Sequence, residues 1–153
     1  MGTLLEPRGS DRVGFGDTAA GMSSRNVEIV RGLYRAFNEG ALDSVLEGAN
    51  ANVEFDASER LPDEGVIRGR DAYRRFFERT FDTWERFVVE IDELLDAGDA
   101  VVARVRITGV GKSSQVTVEE RTAHVIWLRE GRPYRVKIFA DDGDAMRAAG
   151  LTP

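Results

Sequence analysis

The feature that most constrains this chain is a change of period just past its midpoint. Tyr73, Phe76, Phe77, Phe81 and Trp84 form an aromatic stripe at i, i+3, i+4, i+8 and i+11, the pattern of a helix with one wide apolar face. Beyond the stripe, side chains alternate with a period of two through residues 88–95, 101–110, 116–128 and 134–140, which predicts strands. The intervening "AGD", "GKSS" and "REGR" are short turns, and turns of that length join antiparallel neighbours. A helix so rich in rings must be covered by a sheet, and the sheet follows it directly. The class is α+β, helices first and a long antiparallel sheet after them.

Upstream of the stripe, Val27, Val30, Leu33, Tyr34 and Phe37 recur at helical spacing, with Ser23 or Ser24 as a cap and Gly40 as a stop. A shorter helix carries Leu42, Val45 and Leu46. In "NVEFDASE", Val53, Phe55 and Ala57 alternate with Glu54 and Asp56, a strand pattern; Val66 and Ile67 suit a second, brief strand. Residues 1–22 are rich in Gly, Arg and Asp and lack the apolar run of a signal peptide. The expected organisation is a flexible tail over 1–22 and one domain over 23–153.

Charge and residue types exclude several functions. The net charge of −6 argues against a nucleic-acid surface. Arg68, Arg70, Arg74, Arg75 and Arg79 interleave with Asp71, Glu78 and Asp82, as on a solvated helix face. With no cysteine and one histidine, thiolate chemistry and sulfur- or histidine-rich metal sites are ruled out, and neither a metal nor a cofactor is expected. The absence of cysteine fits a cytoplasmic protein, and no apolar run approaches the roughly 20 residues of a membrane span. "GVGKSS" lacks the leading glycine and following helix of a phosphate loop and reads as a hairpin turn. "DDGD" lacks the later glutamate of a calcium loop and reads as the cap of a terminal helix.

The segments "NVEIVRGLYRAFNEGALDSVL", "VEFD", "GVIRGRDAYRRFF" and "HVIWLREGRPYRVKIFADDGDAMRAAGL" resemble, in order, the SnoaL-like group of the nuclear transport factor 2-like superfamily. That resemblance implies a cone: three N-terminal helices on a curved antiparallel sheet that encloses a hydrophobic cavity, often in a homodimer. Ketosteroid isomerase-like and polyketide cyclase-like members share the cone. In the isomerases a helix-one tyrosine, a first-strand aspartate and a late-strand acid carry the chemistry. Here Tyr34 lies near the first of these and Asp56 near the second, while His124 stands where the late acid would be. Arg104 and Arg106 have no aspartate two residues away, which sets the chain apart from the epoxide hydrolase members.

The only histidine is therefore the focus. On a regular strand Glu120, Thr122, His124, Ile126 and Leu128 share one face, and Ala123, Val125 and Trp127 the other. Burial lowers an imidazole pKa, and a nearby Asp56 would raise it. The expected catalytic set is Asp56 as base with His124 and Tyr34 as acid or oxyanion donors, and Phe37, Trp84, Glu120 and Ile126 are expected to contact the ligand. The expected ligand is an apolar carbonyl-bearing or cyclic small molecule, and the expected chemistry is cofactor-free isomerisation, cyclisation or dehydration. The residues equally allow a cavity that binds without catalysis.

Overall fold

The computed structural model describes residues 17–153, with side chains from Arg25 onward. Four helices, α1 (Asp17–Asn38), α2 (Leu42–Gly48), α3 (Arg70–Thr83) and α4 (Asp142–Ala148), accompany six strands. The strands are β1 (Glu54–Asp56), β2 (Val66–Arg68), β3 (Trp84–Asp96), β4 (Ala100–Gly111), β5 (Thr117–Arg129) and β6 (Arg132–Phe139). They form one sheet in the order β2-β1-β6-β5-β4-β3. The last four make the expected meander, whereas β1 runs parallel to β6. The sheet is thus mixed rather than wholly antiparallel, because β1 reaches β6 through one helix and four strands and no hairpin dictates its direction.

Helix α1 runs through Ser23 and Ser24 from Asp17, so neither serine caps it and the predicted boundary at 23 falls inside the helix. The remainder of the expected tail, residues 1–16, lies outside the described residues. The helix stops where expected, at Gly40, whose φ of +78° suits glycine. Helix α3 ends at Thr83, after the hydroxyls of Thr80 and Thr83 bond the carbonyls four residues back. Trp84 therefore opens β3 instead of closing the helix, and β3 begins ahead of the predicted residue 88. Its ring lies against Gly109, where a Cβ would come within 2.9 Å of it.

Two cores lie on opposite faces of the sheet, as the alternation requires. The inner one joins Val30, Phe55, Phe76, Phe77, Val101 and Ile126 between the first three helices and the sheet. The outer one joins Val102, Ala123, Val125 and Phe139 with Ala145 of α4. The apolar back of β5 is thus covered in part by this chain's own last helix. Asp141 caps that helix by accepting from the Asp144 amide at 2.9 Å, as "DDGD" suggested, and "GKSS" is a hairpin turn.

Two asparagines fix α1 across the sheet. Asn26 donates to the Gly98 carbonyl at 3.2 Å. Asn38 bonds both backbone groups of Val89, at 2.7 Å to its oxygen and 2.9 Å from its nitrogen. Strand β3 is an edge, and the Asn38 amide supplies the pair of bonds that a neighbouring strand would. Replacing Asn38 with Ala removes both and is expected to cost about 1–3 kcal/mol, read as a lower denaturant midpoint at unchanged slope.

Candidate functional site

Between the helices and the inner face of the sheet lies a cavity of about 270 Å³. Its walls are mainly apolar and aromatic, with Phe37 from α1, Phe55 from β1, Phe76 and Phe77 from α3, and Trp84 and Phe87 from β3. Strand β5 pairs with β4 without a register break from Thr117 to Trp127, so its inner face is the expected one. Glu120, His124 and Ile126 line the cavity, and Thr122 is buried between them in sequence.

His124 is 6% exposed. Its Nδ1 lies 2.6 Å from the Tyr34 hydroxyl and its Nε2 lies 3.2 Å from the Thr122 hydroxyl. The Tyr34 and His124 rings also stack, 5.9 Å apart at 25°. Helix α1 brings the tyrosine there because Val30, Tyr34 and Phe37 share the face it turns to the cavity. The result is a hydrogen-bonded line of three groups, Thr122, His124 and Tyr34, in an otherwise greasy wall.

Two tautomers satisfy the line. With the proton on Nε2, His124 donates to Thr122 and accepts from Tyr34. With the proton on Nδ1, His124 accepts from Thr122 and donates to the Tyr34 oxygen, and the tyrosine O–H is then free to point into the cavity. Burial, and next the Arg60 charge, bring the His124 pKa down to about 4. Burial first, and Tyr73 second, push Tyr34 far above the usual phenol range. Both groups are therefore neutral at ordinary pH, and Tyr34 keeps its proton.

Asp56 does not join them. Phe55 and Ala57 line the cavity, so the residue between them points to the opposite face, where Lys137 lies 3.9 Å from Oδ2. The Ser58 hydroxyl and amide donate to Oδ1 at 2.6 and 3.0 Å. Although burial acts to raise the Asp56 pKa, these bonds with Lys137 and Arg135 hold it below the usual carboxylate value. The expected partnership with His124 is absent, and with it the acid that would have raised the imidazole pKa. The alternation of Val53, Phe55 and Ala57 already carried this placement.

Of the other expected residues, Tyr34, Phe37, Trp84, Glu120, His124 and Ile126 all face the cavity. Glu120 is ion-paired with Arg60 at its mouth. Arg60 sits in the tight turn after β1, where its amide and that of Leu61 bond the Ala57 carbonyl at 3.0 and 2.8 Å. Nothing in a loop's sequence announces such a position, and Arg60 was not anticipated. Leu61 and Val118, 42% and 46% exposed, add an apolar rim. Arg104 and Arg106 lie away from the cavity, paired with Glu93 and Asp142 and with Glu90 and Asp92.

The buried imidazole makes stability depend on pH. The folded pKa of about 4 lies below the ordinary 6.5, so between these values the unfolded chain binds the extra proton and acid favours unfolding. Stability should fall by up to roughly 3 kcal/mol between about pH 6.5 and pH 4. The variant His124→Gln should lose that part of the pH dependence, read as the difference between the two unfolding free energies across the window.

Comparison with known proteins agrees with this geometry. The SnoaL-like domain family matches residues 30–136. No curated protein matches the chain. Among solved structures, a nuclear transport factor 2-like protein from Burkholderia thailandensis is similar at 26% identity and a TM-score of 0.68, covering 79% of this chain and 96% of that one. An epoxide hydrolase/cyclase-like enzyme, SalBIII, with a role in pyran ring formation in the polyether salinomycin, is similar at 21% identity and a TM-score of 0.67, covering 79% and 94%. TerC, crystallised with polyporic acid, is similar at 18% identity and a TM-score of 0.69, covering 82% and 98%. The α+β cone, its cavity and the match over most of the chain together make this protein a member of the SnoaL-like domain family.

Proposed function

We propose that the cavity binds an apolar, carbonyl-bearing or cyclic small molecule and polarises its oxygen through the Tyr34 hydroxyl. The observation that carries this reading is the 2.6 Å contact between Tyr34 and His124. With the proton on Nδ1, the buried imidazole donates to the tyrosine oxygen and leaves the O–H of this helix residue to a ligand. Apolar walls, an apolar rim and a polar line on one side are the ordinary make-up of a small-molecule site. The solved relatives add support by analogy, since one is crystallised with polyporic acid and another serves ring formation.

The chemistry that follows is cofactor-free proton transfer. A carbonyl oxygen bonded by Tyr34 draws electrons from the neighbouring C–H bond. Glu120 is the carboxylate on the cavity wall and takes the place expected for Asp56 as base. The proton moves from carbon to the Glu120 oxygen, and the C–H electron pair moves into the enolate, whose oxygen Tyr34 holds. A second reading, binding without catalysis, is favoured by the Arg60–Glu120 pair, because the carboxylate is already engaged by a guanidinium.

No described helix is long and apolar enough to cross a membrane. A cytoplasmic setting and a homodimer complete the proposal. The dimer is supported by the family resemblance and by the mixed charge around Arg104, Arg106 and Arg121 on β4 and β5.

The ketone 1-tetralone in heavy water separates these readings. Its binding, followed by tryptophan fluorescence, should weaken several-fold to about tenfold in Tyr34→Phe and stay unchanged in Asp56→Asn. Catalysed exchange of the proton beside its carbonyl, lost in Glu120→Gln, would establish the enzyme. Binding with no accelerated exchange would leave the non-catalytic reading. No binding at all would reject the site.

A further inference from the structure

Outside the line of Thr122, His124 and Tyr34, Glu120 and Arg60 pair with each other and the Thr80 hydroxyl bonds the Phe76 carbonyl. One further polar group on the cavity wall has no such partner. Tyr73, in the first turns of α3, lines the cavity. Its ring packs on those of Phe55 and Phe77, at 5.2 and 4.9 Å between centroids, and this fixes where its hydroxyl stands. Among the described residues that hydroxyl has no hydrogen-bond partner, whereas the Tyr34 hydroxyl has His124. Nor is it sealed against apolar atoms. The described side-chain atoms that are both sealed and without a hydrogen bond are Arg70 Nε, Arg104 Nε and Arg106 Nε. The Tyr73 oxygen therefore opens onto space that a ligand or water can fill.

Burial pushes the Tyr73 phenol far above its usual range, so it remains a donor. The two tyrosines are close enough that a charge on Tyr73 raises the Tyr34 pKa. A hydroxyl that faces an apolar cavity is costly unless a ligand or water bonds it, and phenylalanine would fill the same slot without that need. Three of the neighbours on this wall, Phe55, Phe76 and Phe77, are phenylalanines, which makes the one phenol among them the exception to be explained.

We propose that Tyr73 is a second ligand-binding donor, and that the ligand of this cavity is an apolar molecule with two oxygens, one bonded by Tyr34 and the other by Tyr73. The proposal rests on the reading of Tyr34 given above. It narrows the ligand class from any apolar ketone to dioxygenated ring compounds such as hydroxyketones, diketones and quinones.

Matched ring compounds test it. Binding of 1-tetralone is compared with that of 5-, 6- and 7-hydroxy-1-tetralone on the whole chain, by tryptophan fluorescence and by calorimetry. The expected result is that at least one hydroxytetralone binds several-fold to about tenfold tighter than 1-tetralone. Tyr73→Phe should abolish that advantage, bringing the ratio of hydroxytetralone to 1-tetralone affinity to about one, and not lower the melting temperature. A merely structural hydroxyl would move stability and both ligands together. The proposal is overturned if no hydroxyl position gains affinity in the wild-type protein, a comparison that needs no variant to fold. It is equally overturned if the gain survives in Tyr73→Phe. If 1-tetralone binds and Tyr34→Phe weakens it while the second oxygen adds nothing, Tyr73 fails and the Tyr34 reading stands. If no compound binds, both fall.

Discussion

The rest of the site depends on one strand keeping its register. Strand β5 passes from Thr117 to Trp127 opposite β4 without a bulge, so Glu120, His124 and Ile126 share the inner face of the sheet while Ala123 and Val125 share the outer one. A one-residue slip would put the acid on the outer face of the sheet and turn the imidazole out of the cavity. That register is secured on both sides. The inner core packs Ile126 and Leu128 with Val101, Ala103 and Val105, and the outer core packs Ala123 and Val125 with Phe139 and Ala145. Helix α1, held to the sheet by Asn26 and Asn38, then needs only its own periodicity to set Tyr34 against His124.

Much of this was legible in the sequence because it is governed by short-range periods. The aromatic stripe, the four-strand meander, the inner face of β5 and the cap of α4 follow from spacing alone. What was not legible depends on contacts between distant segments. The parallel pairing of β1 with β6 joins strands far apart in the chain, and no turn chemistry specifies it. Trp84 continued a helical stripe in register, yet the threonine hydroxyls at the helix end and the bare backbone of Gly109 made it the start of a strand. Arg60 owes its place at the cavity mouth to a tight turn, and turns carry little information about what their side chains will meet.

Asp56 shows a different lesson. The family resemblance suggested an acid on the first strand, and the alternation of that same strand put Asp56 behind the sheet. Local periodicity and resemblance were in conflict, and periodicity won. The consequence is chemical. Without Asp56 the histidine has no anionic partner, so desolvation decides its charge and keeps it neutral. A neutral imidazole suits an orienting role, fixing the Tyr34 hydroxyl and relaying its tautomer to Thr122, better than it suits a charged acid.

The central claim is that His124 is buried, uncharged and coupled through Tyr34 to whatever fills the cavity. As the chain's only histidine, it gives imidazole C–H signals that one-dimensional proton NMR can follow with no assignment problem. The prediction is that these signals do not titrate between pH 8 and pH 5, in line with a pKa of about 4, and that adding 1-tetralone shifts them. A titration centred near the ordinary value of about 6.5, with no response to the ketone, would place His124 in solvent and contradict the account.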